Sequence, residues 1–172
     1  EGFDVNVTYS FDLNDMGSVN LDYAATFLDT NYVVAIPGDT ETECAGAYSG
    51  PCGLPAPEYN HRFLATWMTP YDVAVSATWR HIGETDLYSL TVPGAAPAEG
   101  WLRDTMEERN YLDIAATYDM NQNVTFRVGA NNILGDDAPV TTSAGTGTGN
   151  NNTYPGLYEV STYLFAGVTV KF

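Results

Sequence analysis

Apolar and polar residues alternate along this chain in seven stretches, with the period of two that belongs to a β-strand. The first, Gly2 to Leu13, sets Phe3, Val5, Val7, Tyr9, Phe11 and Leu13 against Asp4, Asn6, Thr8, Ser10 and Asp12. Asn14 to Ser18 has the Asn, Asp and Gly of a tight reversal. The second stretch carries Val19, Leu21, Tyr23, Ala25 and Phe27 on one side, and the pattern takes it on to Val34. Tyr59 to Thr69 is the third, with Phe63, Ala65 and Trp67. Thr69-Pro-Tyr-Asp72 turns it into the fourth, with Tyr71, Val73, Val75, Ala77 and Trp79. The fifth shows Leu112, Ile114, Ala116 and Tyr118, and Met120 to Asn123 reverses it into the sixth, which runs to Gly135 with Val124, Phe126, Val128 and Ala130 on one side. The seventh, Val160 to Phe172, places Thr162, Leu164, Ala166, Val168, Val170 and Phe172 together.

The connections alternate short and long. Three tight turns separate three long segments, Ile36 to Glu58, Gly83 to Glu107 and Asp136 to Pro155. That alternation predicts an up-and-down antiparallel transmembrane barrel, with short turns on one side of a membrane and long loops on the other.

No Asp, Glu, Lys or Arg stands on the apolar side of these stretches. A Lys or Arg facing lipid at mid-membrane costs about 2–4 kcal/mol, but the core of a β-sandwich excludes charge equally well. The opposite face separates the two folds. A sandwich would turn it to water and coat it with Lys, Glu and Arg, whereas here it carries Asn, Ser, Thr, Ala, Gly and isolated charges, as a packed lumen would. Aromatics gather at the strand ends next to the short turns (Tyr9, Phe11, Trp67, Tyr71, Tyr118, Phe172), as an interfacial girdle requires. Seven strands cannot close an antiparallel barrel, and free edges in lipid would leave backbone groups unpaired. The expectation is therefore a piece of a larger barrel.

Composition narrows the partners. A formal net charge of −16 over 172 residues excludes nucleic acid, whose phosphates demand a basic surface. No apolar run is long enough for a transmembrane helix. Glu1 opens directly into a strand, which reads as a mature exported protein or a portion of one. Cys44 and Cys52 share one loop in a chain that holds no other cysteine. They could ligate metal, but no His stands at ligand spacing, and a local disulfide in an oxidising compartment fits better. Closing so short a loop stabilises by about 2.5 kcal/mol in the chain-entropy account.

The segment Arg127-Val-Gly-Ala-Asn-Asn-Ile-Leu-Gly-Asp-Asp-Ala-Pro139, a variable loop and a last strand ending Gly167-Val-Thr-Val-Lys-Phe172 resemble the C-terminus of TonB-dependent outer-membrane receptors. Cys44…Gly50-Pro-Cys52-Gly, Pro57, His61-Arg-Phe-Leu-Ala-Thr-Trp67, Pro70-Tyr71 and Thr78-Trp-Arg80 are similar to a large subgroup of them. The resemblance implies a barrel of twenty-two strands with a plugged lumen, of which residues 1–172 would be the C-terminal seven strands. The plug domain, the TonB box and the earlier strands would lie elsewhere. It further implies a Gram-negative outer membrane, uptake of a scarce ligand (siderophore, cobalamin, haem or oligosaccharide) driven by the TonB energy-coupling complex, and contact with outer-membrane lipid and lipopolysaccharide. Phe172 would be the terminal aromatic by which the barrel-insertion machinery recognises a precursor.

Individual residues then divide as follows. The polar-face charges Asp4, Asp12, Asp22, Arg62, Arg80, Asp113, Arg127 and Lys171 either contact ligand or plug or pair across the sheet, with Arg127 expected diagonal to Asp113. The loop aromatics Tyr48, Tyr88, Trp101 and Tyr154, with Tyr59 and Tyr158 beside them, are candidate ligand contacts. The acidic loop residues Asp39, Glu41, Glu43, Glu84, Asp86, Asp136 and Asp137 lack the alternating spacing of a calcium loop and read as a solvated surface. His61 and His81 each read singly as interfacial residues. Gly145 to Gly149 lacks the Lys-Ser/Thr of a phosphate loop, and no nucleophile elbow or catalytic triad is present, so neither enzyme chemistry nor a cofactor is expected. A passive outer-membrane channel or structural barrel, an outer-membrane protease or lipase and a secreted β-sandwich binding module are the competing readings.

Overall fold

The computed structural model describes residues 1–34, 36–38, 40–48, 50–88, 105–141, 153–154 and 156–172. Seven long strands form one antiparallel sheet in the order β1 (Gly2–Asp12), β2 (Ser18–Leu28), β6 (Tyr59–Met68), β7 (Val73–Ile82), β10 (Arg109–Asn121), β11 (Val124–Asn131) and β12 (Tyr163–Val170). Each pairs with its sequence neighbour among the seven, so the sheet is a meander, open at β1 and β12.

Register places every apolar row on one face. Val7 pairs with Tyr23, Tyr23 with Phe63, Phe63 with Trp79 and Trp79 with Leu112. Ala116 likewise pairs with Val128, and Val128 with Ala166. Among the described residues nothing covers this face: Phe3 is 62% exposed, Val7 53%, Val128 53% and Leu164 75%. A sandwich would bury such a row under a second sheet, and a water-soluble monomer rarely shows an apolar surface this continuous.

The short turns are built as the sequence requires. Gly17 takes φ +91° with the Met68 carbonyl packed against it, leaving no room for a Cβ. Thr69 closes the second turn with its amide and hydroxyl both donating to Val73 O, at 2.9 and 2.8 Å. Asn121 Oδ1 accepts the Asn123 and Val124 amides at 2.9 and 3.0 Å, and the ladder slips there between Asp119 and Asn121.

Strand lengths differ from the sequence reading where the chain leaves the sheet. The second strand stops at Leu28, because the Asp29 and Thr30 amides turn to Glu1 O. The expected continuation becomes β3 (Tyr32–Val33), paired with β4 (Thr42–Glu43). The sixth strand stops at Asn131, before Asn132 at φ 50°, and the seventh begins at Tyr163.

The long loops are not structureless. β5 (Ala47–Tyr48) pairs parallel with β8 (Thr85–Leu87), and β8 pairs antiparallel with β9 (Thr105–Met106). Two loops are thereby knitted into one small sheet. Beneath it lies the core of Tyr48, Ile82, Leu87, Met106, Tyr111, Tyr154 and Tyr158. Ile82 and Tyr111 lie on the polar face by register, paired with Asn60 and Arg80. The loop layer therefore folds over the polar face of the main sheet at one end.

Candidate functional site: the polar wall beneath the loop layer

The charges on this wall are satisfied across the strands, several acids by hydroxyls and Asp113 by an ion pair with Arg80. Thr26 Oγ1 donates to Asp4 at 2.6 Å, Thr8 Oγ1 to Asp22 at 2.9 Å and Thr125 Oγ1 to Asp119 at 2.6 Å, each from the directly opposed position on the next strand. Hydroxyl–carboxylate rungs explain how acids stand on a wall with few cations.

Arg80 makes the main ionic cluster. Its Nε and Nη2 donate to the two Asp113 oxygens at 3.2 and 3.3 Å, Nη2 reaches Glu159 Oε1 at 2.9 Å, and the guanidinium lies 5.3 Å from the centre of the Tyr111 ring. Tyr111 Oη accepts the Glu159 amide at 3.1 Å, and Asp113 Oδ1 accepts the Asn132 amide at 2.8 Å. The third long loop is thus clasped to the wall at Glu159 and at Asn132. Arg127 does not meet Asp113: the register sets it opposite Thr117, four residues further along β10, and its guanidinium lies 5.1 Å from the centre of the Phe165 ring. Gly129, opposite Phe165, leaves that ring its place, since a Cβ there would collide with it and approach Ile114 O to 2.6 Å. Arg62 faces Arg80 directly across the β6–β7 ladder, is exposed, and has no acidic partner among the described residues. It borders a depression of about 470 Å³ lined by Asp4, Asn6, Thr26, Asn60 and Leu157.

The loop aromatics fall into different places. Tyr48 and Tyr154 are buried at 0% and 4% exposure, meeting edge to face with centres 6.1 Å apart. They form the core of the loop layer and present no surface to a ligand in this arrangement. Tyr158 is buried with them, and burial raises both the Tyr158 and Tyr154 phenols above the ordinary value. Tyr88 is half-buried against Gly50, and Trp101 lies outside the described residues, as does Asp39. Cys44 and Cys52 form a disulfide, Cα to Cα 5.4 Å, and Cys44 is fully buried. Beside it Glu43 accepts the Asn31, Cys44 and Ala45 amides at 2.7, 2.9 and 2.9 Å, and these donors hold its carboxyl below the usual value. Glu43 is thus a structural acceptor as well as an exposed acidic residue. Among the described residues no three His, Cys, Asp or Glu converge as metal ligands.

No protein-family profile and no curated protein matches the chain. Solved structures do. Crystal structures of two mutant forms of the ferric enterobactin receptor PfeA from Pseudomonas aeruginosa are each similar over 99% of this chain, at TM-score 0.62 and 13% sequence identity. The sheet has the fold of part of the barrel wall in those proteins. The chain spans 22% of the length of each receptor, so the likeness covers one arc of the barrel. At this identity it speaks of architecture alone, and it agrees with the uncovered apolar face and the meander order.

Proposed function

We propose that this chain is an arc of an outer-membrane receptor barrel that takes up a scarce ligand by TonB-dependent, energy-coupled transport. The observation that carries the reading is the division of one sheet into an uncovered apolar face and a polar face over which the long loops fold. An apolar face of this kind suits lipid. A polar wall roofed at one end by a packed loop layer suits an occluded lumen, entered from above, better than an open pore. Supporting it, Arg62, which has no acidic partner among the described residues, and the depression beside it give the wall a cation where something inside a barrel, ligand or plug, would sit. The ligand would be held without covalent chemistry, and the full barrel would supply the strands that pair with β1 and β12.

Transport by the full-length protein decides between receptor and passive pore. Uptake of the cognate ligand should require the energy-coupling complex, and uptake that proceeds equally well without it would make the barrel a channel. Fractionation is the simpler first measurement: the protein should sediment with the outer membrane.

A further inference from the structure

His61 and His81 are directly opposed across the β6–β7 ladder, on the apolar face, at the end nearest the loops. Their rings stack with centres 5.2 Å apart and planes 15° apart. Both ring nitrogens of His61 are shielded from solvent and lack a hydrogen-bond partner among the described residues. An unsatisfied buried imidazole is costly unless something is to occupy it. His81 is already oriented: Nδ1 lies 3.1 Å from Asn110 Oδ1, which also accepts from Trp79 Nε1 at 3.0 Å. An oxygen that receives an indole N–H can only accept from the imidazole as well, so Nδ1 carries the proton and Nε2 the lone pair. This is how protein-held imidazoles are prepared as metal ligands, the other nitrogen donating to a fixed oxygen.

We propose that His61 and His81 form a two-imidazole binding site for a divalent transition-metal ion such as Cu²⁺, Ni²⁺ or Zn²⁺ on the apolar face of the sheet. Imidazole donors select these ions over Mg²⁺ and Ca²⁺. Metal–nitrogen bonds of ~2.0–2.1 Å place two donor nitrogens no more than ~4 Å apart, which side-chain rotation reaches from rings this close. Water completes the coordination, since no third protein donor converges among the described residues. The surroundings favour a cation. Glu108 lies 3.9 Å from His81 Nε2, and His81 borders a rim depression of about 500 Å³ that also carries Glu58, Glu84 and Asp86. The other groups facing the pair are Tyr23 and Tyr59, whose hydroxyls bond at 2.9 Å, and Trp79; none is basic. The site stands whether or not the barrel imports a ligand.

Trp79 supplies the readout, because its ring centre is 4.4 Å from that of His61 and Cu²⁺ quenches indole emission at short range. The full-length protein, stripped of metal and folded in detergent, is titrated with Cu²⁺ near neutral pH, and Zn²⁺ is titrated in competition with a chromophoric chelator. Saturable quenching is expected, together with its loss in Trp79→Phe while Zn²⁺ binding persists. His61→Gln and His81→Gln should abolish both signals, and Asn110→Ala should weaken binding by about tenfold, as loss of an orienting partner does. Metal competes with protons for imidazole, so the wild-type signal should vanish on acidification, a test that needs no variant to fold. Absence of saturable quenching, quenching that survives in both His variants, or a signal indifferent to pH would overturn the assignment.

Discussion

Replacing Arg80 with Met should release the third long loop from the wall while leaving the barrel folded. Among the described residues the guanidinium is the only cation paired with Asp113 and Glu159, and the three side chains are 20–30% exposed. A hydrogen bond to a charged partner contributes about 1.5–3 kcal/mol when shielded, whereas exposed ion pairs contribute about 0–1 kcal/mol. Partial exposure and the Tyr111 contact place the Glu159 attachment near ~2 kcal/mol. At ~1.36 kcal/mol per tenfold, the loop should open about 30-fold more often. Hydrogen exchange in the full-length protein reads this at the Glu159 amide, which donates to Tyr111 Oη, and at the Asn132 amide, which donates to Asp113. Strand amides of β7 and β10 should keep their protection, since their ladder does not involve the side chain. Arg80→Lys should fall between, because a single ammonium cannot reproduce the fork that spans both carboxylates. An increase below about threefold, or ~0.65 kcal/mol by the same conversion, would put the cluster among surface pairs and refute the clasp.

Three further outcomes follow from the loops and the terminus. The Glu43 carboxyl is held low by backbone donors, so its contribution is present above the unfolded carboxylate value of ~4.3 and fades as pH falls through the lower folded value; exchange at the Asn31 and Ala45 amides should rise over that window, and Glu43→Gln should abolish the pH dependence. Removing the disulfide with the pair Cys44→Ser and Cys52→Ser should destabilise the first loop by about 2.5 kcal/mol, seen as faster proteolysis between Ile36 and Glu58 with the barrel core intact. Deleting Phe172, which is 114% exposed and so buries nothing in this chain, should leave thermal stability of the folded protein unchanged and lower its outer-membrane level; unchanged levels would make it a lipid contact only.

The strands were legible because each short turn fixes its hairpin. Once Thr69 and Val73 close the second turn, residue sums along the hairpin are constant, and His61 must face His81. Reading the two histidines singly missed this, although the register needed to find it lies within ten residues of the turn on either side. Apolar rows could be assigned strand by strand because a slip of one residue would move a whole row to the other face. The loop layer was not legible. Its strands are two or three residues long, too short for a period, and β5 meets β8 in parallel across the whole β6–β7 hairpin. Tyr48 and Tyr154 looked like exposed ligand contacts for that reason: in sequence they are isolated aromatics among Gly, Asn and Thr, and only the fold brings them into one core. Arg127 was expected diagonal to Asp113, but the turn at Asn121 sets the register so that Arg127 faces Thr117, four residues from Asp113 along β10.

The parallel pairing of β5 with β8 binds the history of two loops together. Length changes are ordinarily tolerated in one surface loop at a time, which is how a scaffold acquires new specificities. Here Ala47 and Tyr48 are edge partners for Asp86 and Leu87, and both are fully buried, so an insertion that shifts the first loop by one residue turns Tyr48 out of its place in the core. The second loop must then change as well, or the roof is lost. Variation in this part of the molecule should therefore arrive in matched pairs across the two loops, and grafting either one alone onto another barrel should yield an unstructured graft.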